Sequence, residues 1–207
     1  MEKSNDVLNL AKEFATEILT KEVAEEFIYH DLNHTTRVAA AAELIGKESN
    51  LSDDDLEIVT IAAWFHDTGY KDGCEKHEAA SALLARNFLG ALNYPEEKIA
   101  KVSDCIMASQ MPQNPKNLLE EILCDADLSH LAGKDYAEMS DKMHKEMQFV
   151  KAEEISDELW KGMNYQFFKN HAYFTDYGKN VLEPVKAKNL KSIKKDFKKK
   201  RNRAPNT

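Results

Sequence analysis

The chain has 207 residues, 43% hydrophobic and 31% charged, which is enough apolar material for one core without disulfide staples. Its net charge of −8 is unevenly spread, since residues 186–207 carry ten Lys/Arg against one acidic residue, Asp196, and the rest is strongly acidic. This argues against a sequence-specific nucleic-acid binder, the lack of an apolar run of about 18 residues argues against a membrane span within these residues, and three cysteines without metal spacing read as reduced packing residues.

Seven glycines and five prolines leave few turns and favour long helices. Residues 1–6 lack the apolar core of a signal peptide, so a cytoplasmic location is expected. Val7, Leu10, Ala11, Phe14 and Ile18 repeat at helical spacing and predict a first amphipathic helix. His30 and His34 stand four positions apart before an Ala-rich helix; if residues 30–34 are helical, the two share one face. Residues 52–55 form a capping box, with negative charge on the positive end of the helix they open. Leu56, Val59 and Ala63 continue it, Trp64 and Phe65 thicken its buried side, and Gly69 is expected to stop it just after His66 and Asp67. Residues 70–76 read as a polar loop.

His77 and Glu78 start the next helix, with Ala80, Leu83, Leu84 and Phe88 on its apolar side. Pro95 suits the first turn of another, which runs through Ile99, Val102 and Ile106 to a break at residues 112–115. Leu118, Leu119, Ile122, Leu123 and Ala126 define the helix that presents Asp125 and Asp127. Tyr136, Met139, Met143, Met147 and Val150 define an amphipathic helix whose methionine stripe is expected in the core. Ser156 caps a helix carrying Leu159, Met163, Phe167 and Phe168. A turn at residues 170–175 precedes a last helix, interrupted near Pro184 and ending in the basic run 198–201. With no convincing strand and no internal repeat, the reading is all-α: a helical domain over residues 1–180 and a basic C-terminal helix or tail over 181–207.

The chemistry gathers around His66 and Asp67. Adjacent helical side chains point about 100° apart, so one metal meets both only over the groove between them. His34 upstream and Asp125 or Asp127 downstream supply further nitrogen and oxygen donors. Such a set suits a hard-to-borderline divalent metal: Mn, Fe, Mg, Ni or Zn. No glycine-rich phosphate loop is present, so phosphate would be met by metal, His, Lys and Arg.

The order His34, then His66-Asp67-Thr68-Gly69, then Ala126-Asp127-Leu128 resembles the HD superfamily of metal-dependent phosphohydrolases over residues 25–135, and more loosely to 175. The resemblance implies an HD-type helical bundle with its metal between helices. It makes His34, His66, Asp67 and Asp127 the metal ligands and leaves Asp125 a supporting or capping carboxylate. Tyr29, His30 and His34 also resemble the motif of class I cyclic-nucleotide phosphodiesterases, which implies a general-acid role for His30. His77 matches the first of the additional histidines that hold a second metal in some relatives. The next would fall near Ser109 and Gln110 and is absent, and Tyr70 stands where some relatives carry a basic residue, with Lys71 one step on.

The expectation is one tight divalent ion with a second site open, catalytic roles for His30, Asp67 and His77, and phosphate contacts from Arg37 and Lys71. His130, His144 and His171 are read as structural or exposed. The implied function is hydrolysis of a phosphate ester or nucleotide by a metal-activated water. The alternative is a nucleotide-sensing HD module with little catalysis that signals to a partner or membrane module; a two-iron oxygenase would need the missing histidine. Partners implied are a small phosphorylated substrate such as a nucleotide, a homodimer, and a membrane module following residue 207, joined through the basic stretch 194–203.

Overall fold

The structure, a computed structural model, describes residues 2–201 and the side chains of residues 6–195. Among the described residues there are nine α-helices and no strand. They are α1 (Glu2–Lys21), α2 (Leu32–Glu48), α3 (Asp53–Phe65), α4 (His77–Ala91), α5 (Glu96–Ala108), α6 (Leu118–Asp127), α7 (Tyr136–Lys151), α8 (Asp157–Asn170) and α9 (Glu183–Arg201). Single 3-10 turns follow α3 (Thr68–Asp72) and α6 (Leu128–Ala132), and a π-turn (Gly178–Leu182) leads into α9. The side chains of the basic run 198–201 and all of residues 202–207 lie outside the described residues.

The central element is α3. Ser52 caps it, its hydroxyl oxygen accepting from the Asp55 N–H at 3.2 Å, and Asp53, Asp54 and Asp55 occupy its first turn. From Glu57 through Tyr70 every residue is buried. A helix apolar on all sides belongs in the middle of a bundle, and α1, α2, α4, α5 and α6 pack around this one. Phe65, Ile58 and Ile61 are fully enclosed, each worth about 1.5–3 kcal/mol of burial.

The end of α3 differs from the expectation. The helix stops at Phe65, and Gly69 does not act as a left-handed terminator. Its role is close approach: a Cβ there would lie 2.1 Å from the His77 carbonyl oxygen. The Gly69 N–H donates to Ser81 Oγ at 2.8 Å, so the turn is pressed against the start of α4. Tyr70, expected in a polar loop, is buried within that turn.

A second, smaller apolar cluster joins Leu128 and Leu131 to Phe168 of α8 and Ile193 of α9. Helices α7 and α8 are tied by Ser140, whose Oγ accepts from Trp160 Nε1 (3.0 Å) and Asn164 Nδ2 (2.8 Å). Between this pair and the turn after α6 lies a cavity of about 440 Å³. The methionine stripe of α7 lines it, so Met143 and Met147 are only partly buried rather than core. Helical periodicity identifies the apolar face but not what that face meets.

Candidate metal centre

Three helix ends meet at one point. Asp31 caps α2, its Oδ1 accepting the His34 N–H at 2.8 Å, which sets His34 in the first turn. His66 and Asp67 follow the last residue of α3, and Asp127 closes α6. Two helix C-termini, each carrying partial negative charge, thus favour a cation here.

His66 Nδ1 donates to the Ala63 carbonyl at 2.8 Å. That satisfies an otherwise orphaned helix-end carbonyl and leaves the Nε2 lone pair free to ligate. His66 Nε2 lies 3.0 Å from Asp67 Oδ2, 3.4 Å from His34 Nε2 and 3.8 Å from Asp127 Oδ1. His34 Nε2 lies 3.3 Å from Asp67 Oδ2 and 3.2 Å from Asp127 Oδ1. Donors about 2.1 Å from a shared ion stand about 3.0–3.4 Å from one another. His34, His66 and Asp127 alone are near enough to hold an ion. Asp67 Oδ2 is buried without a hydrogen bond, 3.0 Å from His66 Nε2 and 3.3 Å from His34 Nε2. The residues therefore fit a divalent ion.

Electrostatics agree. Burial alone would push the His34 imidazolium down, but the neighbouring carboxylates of Asp127 and Asp67 outweigh it and hold its pKa at about 9. His66 is raised against burial by Asp67 and Asp127. Burial opposes ionisation of Asp67 and Asp127, and the two imidazoles overcome it, leaving both carboxyls below the usual range. The hole has an excess of negative charge that protons or a metal can fill.

His30 is not on the helix with His34; it precedes the Asp31 cap, and the turn brings the two rings to 5.6 Å. Its Nδ1 hydrogen-bonds Glu146, a buried residue of α7. Glu146 Oε2 also accepts the N–H groups of Tyr29 (2.8 Å) and His30 (3.1 Å). His30 Nε2 lies 3.2 Å from the Tyr70 hydroxyl, and the two rings stack at 4.3 Å. His77 Nδ1 donates to the Cys74 carbonyl at 3.0 Å, leaving Nε2 3.6 Å from Asp67 Oδ1. Asp67 thus faces the His34/His66 pair with one oxygen and His77 with the other.

Arg37 lines a small pocket beside His34 and Asp127, loosely paired with Asp135 at 3.4 Å. Lys71 is engaged by Glu22 at 3.2 Å. Asp125 turns away from the centre: its oxygens accept from Phe174 N–H (2.8 Å), Thr175 N–H (2.9 Å) and Thr175 Oγ1 (2.7 Å). His130, expected to be structural or exposed, lines both the small pocket and the cavity, and burial with the nearby His34 pushes its pKa to about 4. The sequence reading missed Glu146 and this placement of His130. A glutamate inside a methionine stripe was the one available signal for the former.

Residues 31–132 match the family model of the HD domain. The fold is similar to that of a predicted HD superfamily hydrolase from an uncultured Thermotogales bacterium, with TM-score 0.63 and 17% identity over 92% of this chain and 91% of that one. Bacillus subtilis YpgQ, whose crystal structure is a complex with ADP, gives 0.61 and 18% over 90% of this chain and 97% of that one. A Lactobacillus plantarum protein gives 0.65 and 16% over 96% and 98%. A stretch of 95 residues, 46% of this chain, is 30% identical to thermosome subunit 1 of Haloferax volcanii, and it spans only 16% of that protein.

Proposed function

Starting from a chain whose residues 31–132 match the HD domain, we propose that it is a metal-dependent phosphohydrolase acting on a phosphate ester or nucleotide. The observation that carries this is the convergence of His34, His66, Asp67 and Asp127 on one point, 3.0–3.8 Å apart, with Asp67 Oδ2 otherwise unsatisfied. These four residues would hold one divalent ion: Mn, Fe, Ni or Zn by donor type, with Mg the least suited to imidazole. Such an ion supplies an acidified water and withdraws charge from a phosphoryl oxygen.

The chain's own groups do the rest. Asp67, placed between the ligand pair and His77, orients the attacking water through the oxygen that faces His77. His30 sits between Glu146 and Tyr70, and Glu146 fixes the ring through Nδ1 so that Nε2 can pass a proton to the leaving oxygen. His77, held by Cys74, contacts water or phosphate through Nε2. Arg37, on the rim beside Asp127, meets a phosphate oxygen once its loose contact with Asp135 is given up. Lys71, engaged by Glu22, is the weaker candidate for this. YpgQ, similar in fold, was solved in complex with ADP, so nucleotides belong in the panel that tests the substrate class.

The test is phosphate release from a panel of phosphate esters and nucleotides with Mn, Mg, Ni, Fe or Zn, for wild type and Asp67→Asn. Metal-dependent release, reduced at least about a thousandfold in the variant, is expected. Tight nucleotide binding without release from any substrate would instead favour a sensing module.

A further inference from the structure

The cavity of about 440 Å³ between α7, α8 and the turn after α6 opens onto the candidate centre, since Asp127, His30 and His130 form part of its wall. Its size falls in the range of about 300–1,000 Å³ typical of small-molecule sites. Met111, Met139, Met143, Met147 and Met163 line it, five of the seven methionines in the chain. Tyr136, Phe167 and Phe168 add aromatic surface. Among the described residues, no Lys or Arg side chain lines it, and Asp127 is its only carboxylate.

This composition decides what can enter. A second or third phosphate would be buried with no cation to pair it, which is strongly unfavourable. An apolar group gains by leaving water, and methionine side chains adapt to its shape. Charge sits at the end where His30 and Asp127 are, and apart from Ser140 and Asn164 the remaining wall is apolar or aromatic.

We infer that the cavity receives the uncharged, apolar alcohol portion of a phosphate monoester whose phosphoryl group lies at the metal centre. The substrate class is then alkyl or aryl monophosphates rather than nucleoside di- or triphosphates. This rests on the phosphohydrolase reading for the position of the phosphate. The balance of the step is that of hydrolysis: water adds to phosphorus, the P–O bond to the alcohol breaks, and the alkoxide takes a proton delivered through His30, leaving the free alcohol in the cavity.

The test separates the cavity from the chemistry. Methyl-, butyl- and hexylphosphonate, which cannot be hydrolysed at the P–C bond, are titrated calorimetrically into the manganese-loaded protein, with ADP alongside. Affinity is expected to rise about fourfold per methylene, and hexylphosphonate is expected to bind more tightly than ADP. Met163→Lys, at a partly exposed position on α8, and Met143→Lys on α7 place a cation in opposite walls and should each flatten the series. A flat series in the wild type, or ADP bound more tightly than hexylphosphonate, would overturn the inference whatever the fate of hydrolysis. A rising series without turnover of hexyl phosphate would retain the cavity assignment and contradict only the hydrolase.

Discussion

Glu146 interrupts the methionine face of α7 with a buried carboxylate, and three hydrogens reach it from Tyr29 and His30. A carboxylate satisfied in this way fixes the dipeptide and the direction of His30 Nε2. Glu146→Gln keeps the volume but turns one acceptor into a donor. It should lower kcat about 10–100-fold while metal content stays at its wild-type value; kinetics run beside elemental analysis check both. A parallel loss of metal would assign Glu146 to the fold instead. The late aspartates divide their labour in a testable way. Asp125→Ala removes three hydrogen bonds at the 174–175 turn and should cost about 2–4 kcal/mol in denaturant unfolding. Asp127→Ala should lose the metal and, compared with metal-free wild type, cost far less stability than Asp125→Ala. His66 and Asp67 were legible because they are adjacent and end an apolar run. Asp127 over Asp125 was legible only through the family resemblance; residues two apart on a helix point about 200° apart, so either one could have faced the site. Glu146 and His130 were hidden because their partners lie more than 100 residues away in sequence.

At the scale of elements, the segment between α8 and α9 holds the back of the site. Tyr173 Oη donates to the Leu128 carbonyl at 3.1 Å, and the buried Lys186 Nζ donates to the His171 carbonyl and to its Nδ1 at 3.1 Å. Burial, then the Lys186 charge, push the His171 pKa down to about 4. The folded state therefore binds fewer protons than the unfolded chain between pH 6.5 and 4. Stability from this group is full above pH 6.5 and is lost as pH falls toward 4, by about 2 kcal/mol after discounting for partial exposure. Thermal unfolding of wild type and His171→Gln between pH 7 and 4.5 should show the steeper decline in wild type; parallel curves would contradict this. The helices themselves were legible from apolar spacing and caps, as Ser52 and Ser156 show. Met139 is buried as expected, but Met143 and Met147 were misassigned to the core because spacing reports one buried face equally for a packed wall and a cavity wall. Gly69 was misread as a terminator because its constraint, the His77 carbonyl, belongs to another element.

For the whole molecule, the four residues proposed as ligands come from the start of α2 and the ends of α3 and α6, so an ion bound there would tie together three helices that also share the main core. Binding to the folded state alone stabilises it by about 4 kcal/mol at a thousandfold excess over Kd, so chelation should lower Tm by about 8–16 °C for a chain of this size. The most direct measurement is the metal content of the purified, reconstituted protein by elemental analysis, for wild type and His66→Ala. One divalent ion per chain in the wild type, lost in the variant, is the predicted result. A wild type that holds no ion after reconstitution, or a variant that keeps it, would contradict the assignment of this centre.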